Sequence, residues 1–264
     1  MRKEVENFSE SSVMEGLTSI RAIIASMESC PSERGRIQCV LFDTSKEKKR
    51  AKEIHWLSRM GEIYGFEVIG ATEKQIEEQC TGNSHGGIIA LTLPKKLPSL
   101  IESEDKIKTN GFYVMMDGIE DPYNFGYAIR SLYAFGIDGI VLTPRNWMSA
   151  SGVVARASAG ASELVDMFVA TEEDAVEFFH AHGFHILCAQ EDAPSSLQTT
   201  TIPYPIFAIV GGEKRGVSAI LRQNADIKVR IDYGRDFHAS LSAASAATVL
   251  AYEIAKQHQN GESK

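Results

Sequence analysis

Apolar side chains recur at helical spacing through SSVMEGLTSIRAIIASMES (11–29), where Val13, Leu17, Ile20, Ile23 and Ile24 form one stripe, so a helix is expected there. RIQCVLFD (36–43) then reads as a strand, residues 47–65 as a helix closed by Gly65, and FEVIG as a second strand. A short helix begun by Thr72 and a strand in GGIIALTL follow. The alternation predicts a small α/β sandwich of about a hundred residues.

Between Pro94 and Gly111 the periodicity dissolves into PKKLPSLIESEDKIKTNG, with two prolines and mixed charges. The expected organisation is therefore an N-terminal domain over residues 1–100, a linker over 101–110 and a second domain over 111–264. From Phe112 strands and helices alternate again: FYVMMD, a helix over 123–135, GIVLT, a helix over 150–162 and a strand near 165–169. The helix EEDAVEFFHAH follows, then the strands FHILCAQ and PIFAIVG, a short helix after Gly216, the strand DIKVRI and a long helix from Ser240, read as its cap. This order predicts a mainly parallel sheet with helices on both faces.

Composition alters this picture little. The formal charge is −8, which weighs against generic nucleic-acid binding, although KEKKRAK (46–52), Lys95–Lys96 and Lys214–Arg215 are locally basic. Cys30, Cys39, Cys80 and Cys188 lie far apart, so neither a disulfide framework nor a zinc site is expected, and the thiols read as reduced. His180, His182 and His185 lack the spacing of a helical zinc pair, and no metal is expected. The polar start MRKEVENFSE and the absence of a long apolar run imply a cytoplasmic protein with no membrane partner.

In a parallel sheet, chemistry gathers just beyond the carboxyl ends of the strands, and three such places are unusual. The first, DGIEDPYNFGYAIRSLYAFG (117–136), holds Asp121, Pro122, Asn124, Gly126 and Arg130; its plain structural reading is a capped helix with a surface arginine. The second, FAIVGGEKRGVS (207–218), runs a buried-type strand into Gly211, Gly212 and Glu213. Gly211 and Gly216 have P-loop spacing, but Val217 stands where the phosphate-binding lysine would be, so a nucleotide triphosphatase is excluded. The third, VRIDYGRDFHASLSAASAATVLAYE (229–253), joins a strand, a loop around Gly234 and a helix of small residues.

Together the three segments resemble the signature motifs of the SpoU (TrmH-like) RNA methyltransferases of the SPOUT superfamily, over roughly the last 150 residues. Asp121-Pro122-x-Asn124-x-Gly126-x-x-x-Arg130 with Phe135-Gly136 matches the first motif, Gly212-Glu213-x-x-Gly216 the second, and Ser240-Leu241 with Tyr252-Glu253 the third. Asp232 departs from the usual proline and Ser242 from the usual asparagine. The N-terminal His85-Gly86-Gly87-Ile88 stands where relatives with a ribosomal-protein-like αβα domain carry His-Gln-Gly-(Ile/Val).

The resemblance implies a catalytic domain with a deep trefoil knot, a homodimer formed through that domain, and transfer of a methyl group from S-adenosylmethionine to a ribose 2′-hydroxyl of structured rRNA or tRNA. It assigns Asn124, Arg130, Glu213 and Ser240 to catalysis and Leu142, Thr143, Gly211, Gly212, Glu213, Ile231, Ser240 and Leu241 to the cofactor. His85 and Arg130 become the RNA contacts. The alternative is a non-catalytic RNA-binding relative in which Asp232 and Ser242 have ended methyl transfer.

Overall fold

A computed structural model of the protein describes residues 12–80, 85–144, 150–212 and 214–262. The chain separates into two compact units: residues 12–96 with 150–164, and residues 97–144 with 165–262.

The first unit begins with strand β1 (Ser12–Glu15), helix α1 (Gly16–Ser29), β2 (Ile37–Asp43), α2 (Ala51–Tyr64), β3 (Glu67–Ala71), α3 (Glu73–Glu77) and β4 (Ile88–Thr92). Its sheet runs β1-β4-β2-β3, with β2 and β3 parallel and β4 antiparallel to both β1 and β2. The helix expected from residue 11 thus starts later. Residues 12–15 instead satisfy their backbone on the edge of β4, and Gly16, at a φ of +81°, turns the chain from strand into helix. Ile20, Ile23 and Ile24 of the predicted stripe are buried against Val40, Leu57 and Ile88.

Beyond residue 96 come β5 (Phe112–Asp117), α4 (Pro122–Ala134) and β6 (Gly139–Leu142). The helix expected over 150–162 is two short helices, α5 (Ser151–Ala157) and α6 (Ala161–Leu164), and both belong to the first unit. Small residues allow this: a Cβ on Gly152 would lie 2.2 Å from the Val13 carbonyl oxygen, and Ala155 is fully buried beside Ile20 and Ile23. Charge holds it. The Arg36 guanidinium lies 2.7 Å from Glu163 and 3.0 Å from Glu33, with the Arg36 and Glu163 side chains only 6% and 4% exposed, and Arg156 pairs with Glu15.

The rest of the second unit is β7 (Asp166–Val169), α7 (Glu172–Ala181), β8 (His185–Ala189), β9 (Ser195–Ser196), β10 (Ile206–Gly211), α8 (Ala219–Gln223), β11 (Ile227–Arg230) and α9 (Ala243–Glu262). Its seven strands run in the order β7-β6-β5-β10-β8-β11-β9, every pair parallel. All six positions of β5 are buried, as expected of a strand covered on both faces. On one face Tyr113, Met115, Phe207 and Ile209 pack with Phe179 and Phe184, the Phe179 and Phe207 rings stacking at 4.0 Å. α9 packs on α4 and on β10.

Residues 97–110, which include the linker expected over 101–110, are docked on this sheet. Leu100 is fully buried in its core, the Leu100 N–H donates to the Val169 carbonyl at 2.9 Å, and the Lys108 N–H donates to the Tyr113 hydroxyl. Polar composition concealed this because one buried leucine and backbone hydrogen bonds do the docking.

The long last helix is capped by Ser242, not Ser240. The Ser242 hydroxyl accepts from the Ser245 N–H at 3.2 Å, and its carbonyl accepts from Ala246. Serine and asparagine are both strong N-caps, so the departure at position 242 preserves the local physics.

Two stability effects follow. Glu163→Leu leaves Arg36 buried with only Glu33 and is expected to destabilise the first unit by about 3 kcal/mol, read as faster amide exchange across α1 and β2. Ser242→Ala is expected to cost about 1 kcal/mol in denaturant unfolding, and Ser242→Asn close to nothing.

Candidate active site

The carboxyl ends of β10, β8 and β11 lie side by side, and the turns that leave them surround a cavity of about 610 Å³. After β10, the glycine loop folds back on itself. A Cβ on Gly211 would sit 2.4 Å from the Gly216 carbonyl carbon, and one on Gly212 would sit 2.2 Å from the Gly118 carbonyl oxygen. Only glycine fits at either place. The Gly212 N–H donates to the Asp117 carbonyl at 2.6 Å, and the Asp117 carboxylate accepts from the Ser218 N–H at 2.8 Å. The Ser218 hydroxyl caps α8 and donates to Glu172 at 2.5 Å, while Lys214 pairs with Glu120. Both ends of the loop are therefore tied to the turn after β5.

The loop after β8, Ala189 to Asp192, forms a second wall. Arg230, at the end of β11, fixes it by donating to the carbonyls of Ala193 at 3.1 Å and Pro194 at 2.7 Å. The same guanidinium holds Asp232 at 2.8 Å. The Ser196 hydroxyl and Arg230 together keep the Asp232 carboxyl below the usual carboxylate range. The negative charge that replaces the family's proline is thus neutralised within the wall.

Residues 231–241 form the third wall. The Ser240 hydroxyl donates to Glu191 at 3.3 Å, and the Leu241 N–H donates to the Tyr233 hydroxyl at 3.1 Å. Among the described residues, four acidic ones, Glu191, Asp192, Asp232 and Asp236, and four arginines, Arg215, Arg222, Arg230 and Arg235, line the cavity. Among the described residues, no group of three or more His, Cys, Asp or Glu side chains is arranged to hold a metal, and no helix is long and apolar enough to cross a membrane.

Of the residues singled out from sequence, Gly211, Gly212, Ile231, Ser240 and Leu241 meet at this cavity. Leu142 and Thr143 do not. Leu142 ends β6 and Thr143 follows it; β5 separates that strand from β10, and the turn after β8 occupies the place assigned to them. Sequence reasoning missed Ala189, Gln190, Glu191 and Asp192; the signal was the strand FHILCAQ running into EDAP.

Asn124 and Arg130, both assigned to catalysis, lie inside α4, about 9 Å apart along its axis and about a third of a turn apart around it. Asp121 caps that helix through the Asn124 N–H at 2.7 Å, with Pro122 at its first position. Arg130 is exposed and lies outside the cavity lining. Glu213 lies outside the described residues. His85, assigned to RNA, is buried instead, and its Nδ1 accepts from the Gly87 N–H at 3.1 Å, so the ring shapes the turn before β4.

Comparison with known proteins agrees with this architecture. A TrmH family tRNA/rRNA methyltransferase of Staphylococcus haemolyticus is 28% identical over 183 residues, covering 67% of this chain and 73% of that one. A 23S rRNA (guanosine-2′-O-)-methyltransferase of Nitrosomonas europaea is 23% identical over 224 residues, covering 84% and 85%. The SpoU methyltransferase AviRb of Streptomyces viridochromogenes, solved with the cofactor AdoMet, superposes with a TM-score of 0.75 at 21% identity, covering 95% of this chain and 91% of that one. An AdoMet-bound rRNA methyltransferase of Sinorhizobium meliloti gives 0.75 at 21% identity, over 95% and 88%. The model of the SpoU rRNA methylase family matches residues 111–252, more than half of the chain, from the strand that carries the first motif to the helix that ends the third. By that match the protein belongs to the SpoU rRNA methylase family.

Proposed function

We propose that the protein is an S-adenosylmethionine-dependent methyltransferase that modifies a ribose 2′-hydroxyl of rRNA or tRNA. The observation that carries this reading is the convergence of the second and third motif loops on one cavity. Its walls suit the cofactor: Gly211 and Gly212 admit close backbone approach, and Glu191 and Asp192 offer anionic groups to a cationic ligand. When bound, S-adenosylmethionine supplies a methyl group on an already activated sulfonium. The chain must then align the acceptor oxygen and help it lose its proton.

Arg130 takes the second task through charge. A guanidinium is a very poor base at neutral pH, so its part is to bind the substrate phosphate and stabilise the developing alkoxide. Asn124 and Glu213 orient the ribose, and Ser240 holds the cofactor side. Arg130 lies outside its own chain's cavity, so we assign it to the cavity of a second copy in a homodimer. Tyr127 and Tyr252, 50% and 53% exposed on the packed pair α4 and α9, supply apolar surface for that contact. The threading expected of the family is part of the same reading, supported by β10 lying between β5 and β8 while α9 returns to α4. The first unit supplies RNA affinity, with Lys48, Lys49 and Lys52 exposed along the start of α2.

Arg130→Ala is expected to lower methyl transfer into RNA from cells lacking the gene by at least about a hundredfold, with calorimetric S-adenosylmethionine affinity unchanged. The product should resist alkaline cleavage at the modified nucleotide; methylation on a base, or a fully active variant, overturns the reading. Cofactor binding without any transfer would favour the non-catalytic alternative. Light scattering at micromolar concentration should give twice the chain mass, and a monomer would remove Arg130 from a shared site.

A further inference from the structure

The loop from Asp232 to Ala239 carries two aromatic rings into solvent at the edge of the cavity. Phe237 is 58% exposed and Tyr233 37%, and both line the cavity, as does the exposed Arg235 between them. Leaving a phenylalanine this open is unfavourable unless something covers it in use. The two rings stand 6.1 Å apart at 52°, and the Leu241 N–H on the Tyr233 hydroxyl fixes the tyrosine. The loop is anchored at its start by the Arg230–Asp232 pair and at its end by the Ser242 cap of α9, so the rings are presented from a held segment.

We propose that Phe237 and Tyr233, with Arg235, form a platform on which an unstacked base of the acceptor RNA lies, the substrate class resting on the function proposed above. Charge favours stacking over a phosphate contact as the main attraction. The chain carries a formal −8, and among the described residues the four arginines of the cavity are matched by four carboxylates. Coulomb attraction at this end is therefore weak, whereas stacking on an aromatic face needs no net positive charge and tolerates any base. Splayed bases in single-stranded RNA are held by aromatic and guanidinium planes. Arg235 suits such a plane because, among the described residues, it makes no ion pair; the nearby Asp236 faces His238 at 3.7 Å.

The test uses the full-length protein, RNA from cells lacking the gene, and a short single-stranded oligonucleotide containing 2-aminopurine. Phe237→Ala is expected to raise the apparent KM for RNA and the Kd for the oligonucleotide by about tenfold. Both constants are read at saturating S-adenosylmethionine, and the mass by light scattering should stay as in the wild type. Phe237→Trp should restore RNA affinity and Phe237→Leu should not, since leucine keeps the apolar surface and loses the ring. Equal affinity in the leucine variant, or RNA binding untouched by alanine, overturns the platform. A fall in mass would instead make the loop a contact between copies and also overturns it. If the wild type quenches 2-aminopurine but transfers no methyl group, the proposed function fails and the platform stands; if it binds no RNA at all, both fail.

Discussion

Three parallel strands that end side by side must send three backbones through one small volume, and the room for that is set by the missing side chains of Gly211 and Gly212. With a methyl at either place the loop would drive into Gly216 or into the turn after β5. The closeness is also what lets Asp117 hold both ends of the loop through backbone groups. The other two walls, the loop after β8 and the segment after β11, are then fixed to one another by Arg230 and meet this first wall around the cavity.

Much of this was legible in the sequence because it rests on local signals. Buried-type runs such as PIFAIVG, the cap at Asp121 and the capping box begun by Thr72 depend on neighbours a few residues away. What was hidden depends on distant partners. Residues 150–162 read as one helix and form parts of two, and only Arg36 and the β1–α1 surface decide which unit receives them. Leu142 and Thr143 were placed in the cavity because strand order cannot be read from strand sequence: β6 follows β5 in the chain yet lies on the far side of it from β10.

The two departures in the third motif are each answered by neighbouring physical chemistry. Ser242 performs the capping that an asparagine would perform. Asp232 arrives with Arg230 and Ser196 already positioned to neutralise and bind it, so the charge acts as a fastening between β11 and its flanking loop. Substitutions that look disabling in a motif alignment are here accommodated by the residues around them.

The return of α5 and α6 to the first unit carries a consequence for biogenesis. Ala155 completes the core around Ile20 and Ile23, and Glu163 completes the partner set of Arg36. A growing chain therefore lacks the last residue of this core cluster and one partner of Arg36 until residue 164 has cleared the ribosome, after β5, α4 and β6 have already emerged.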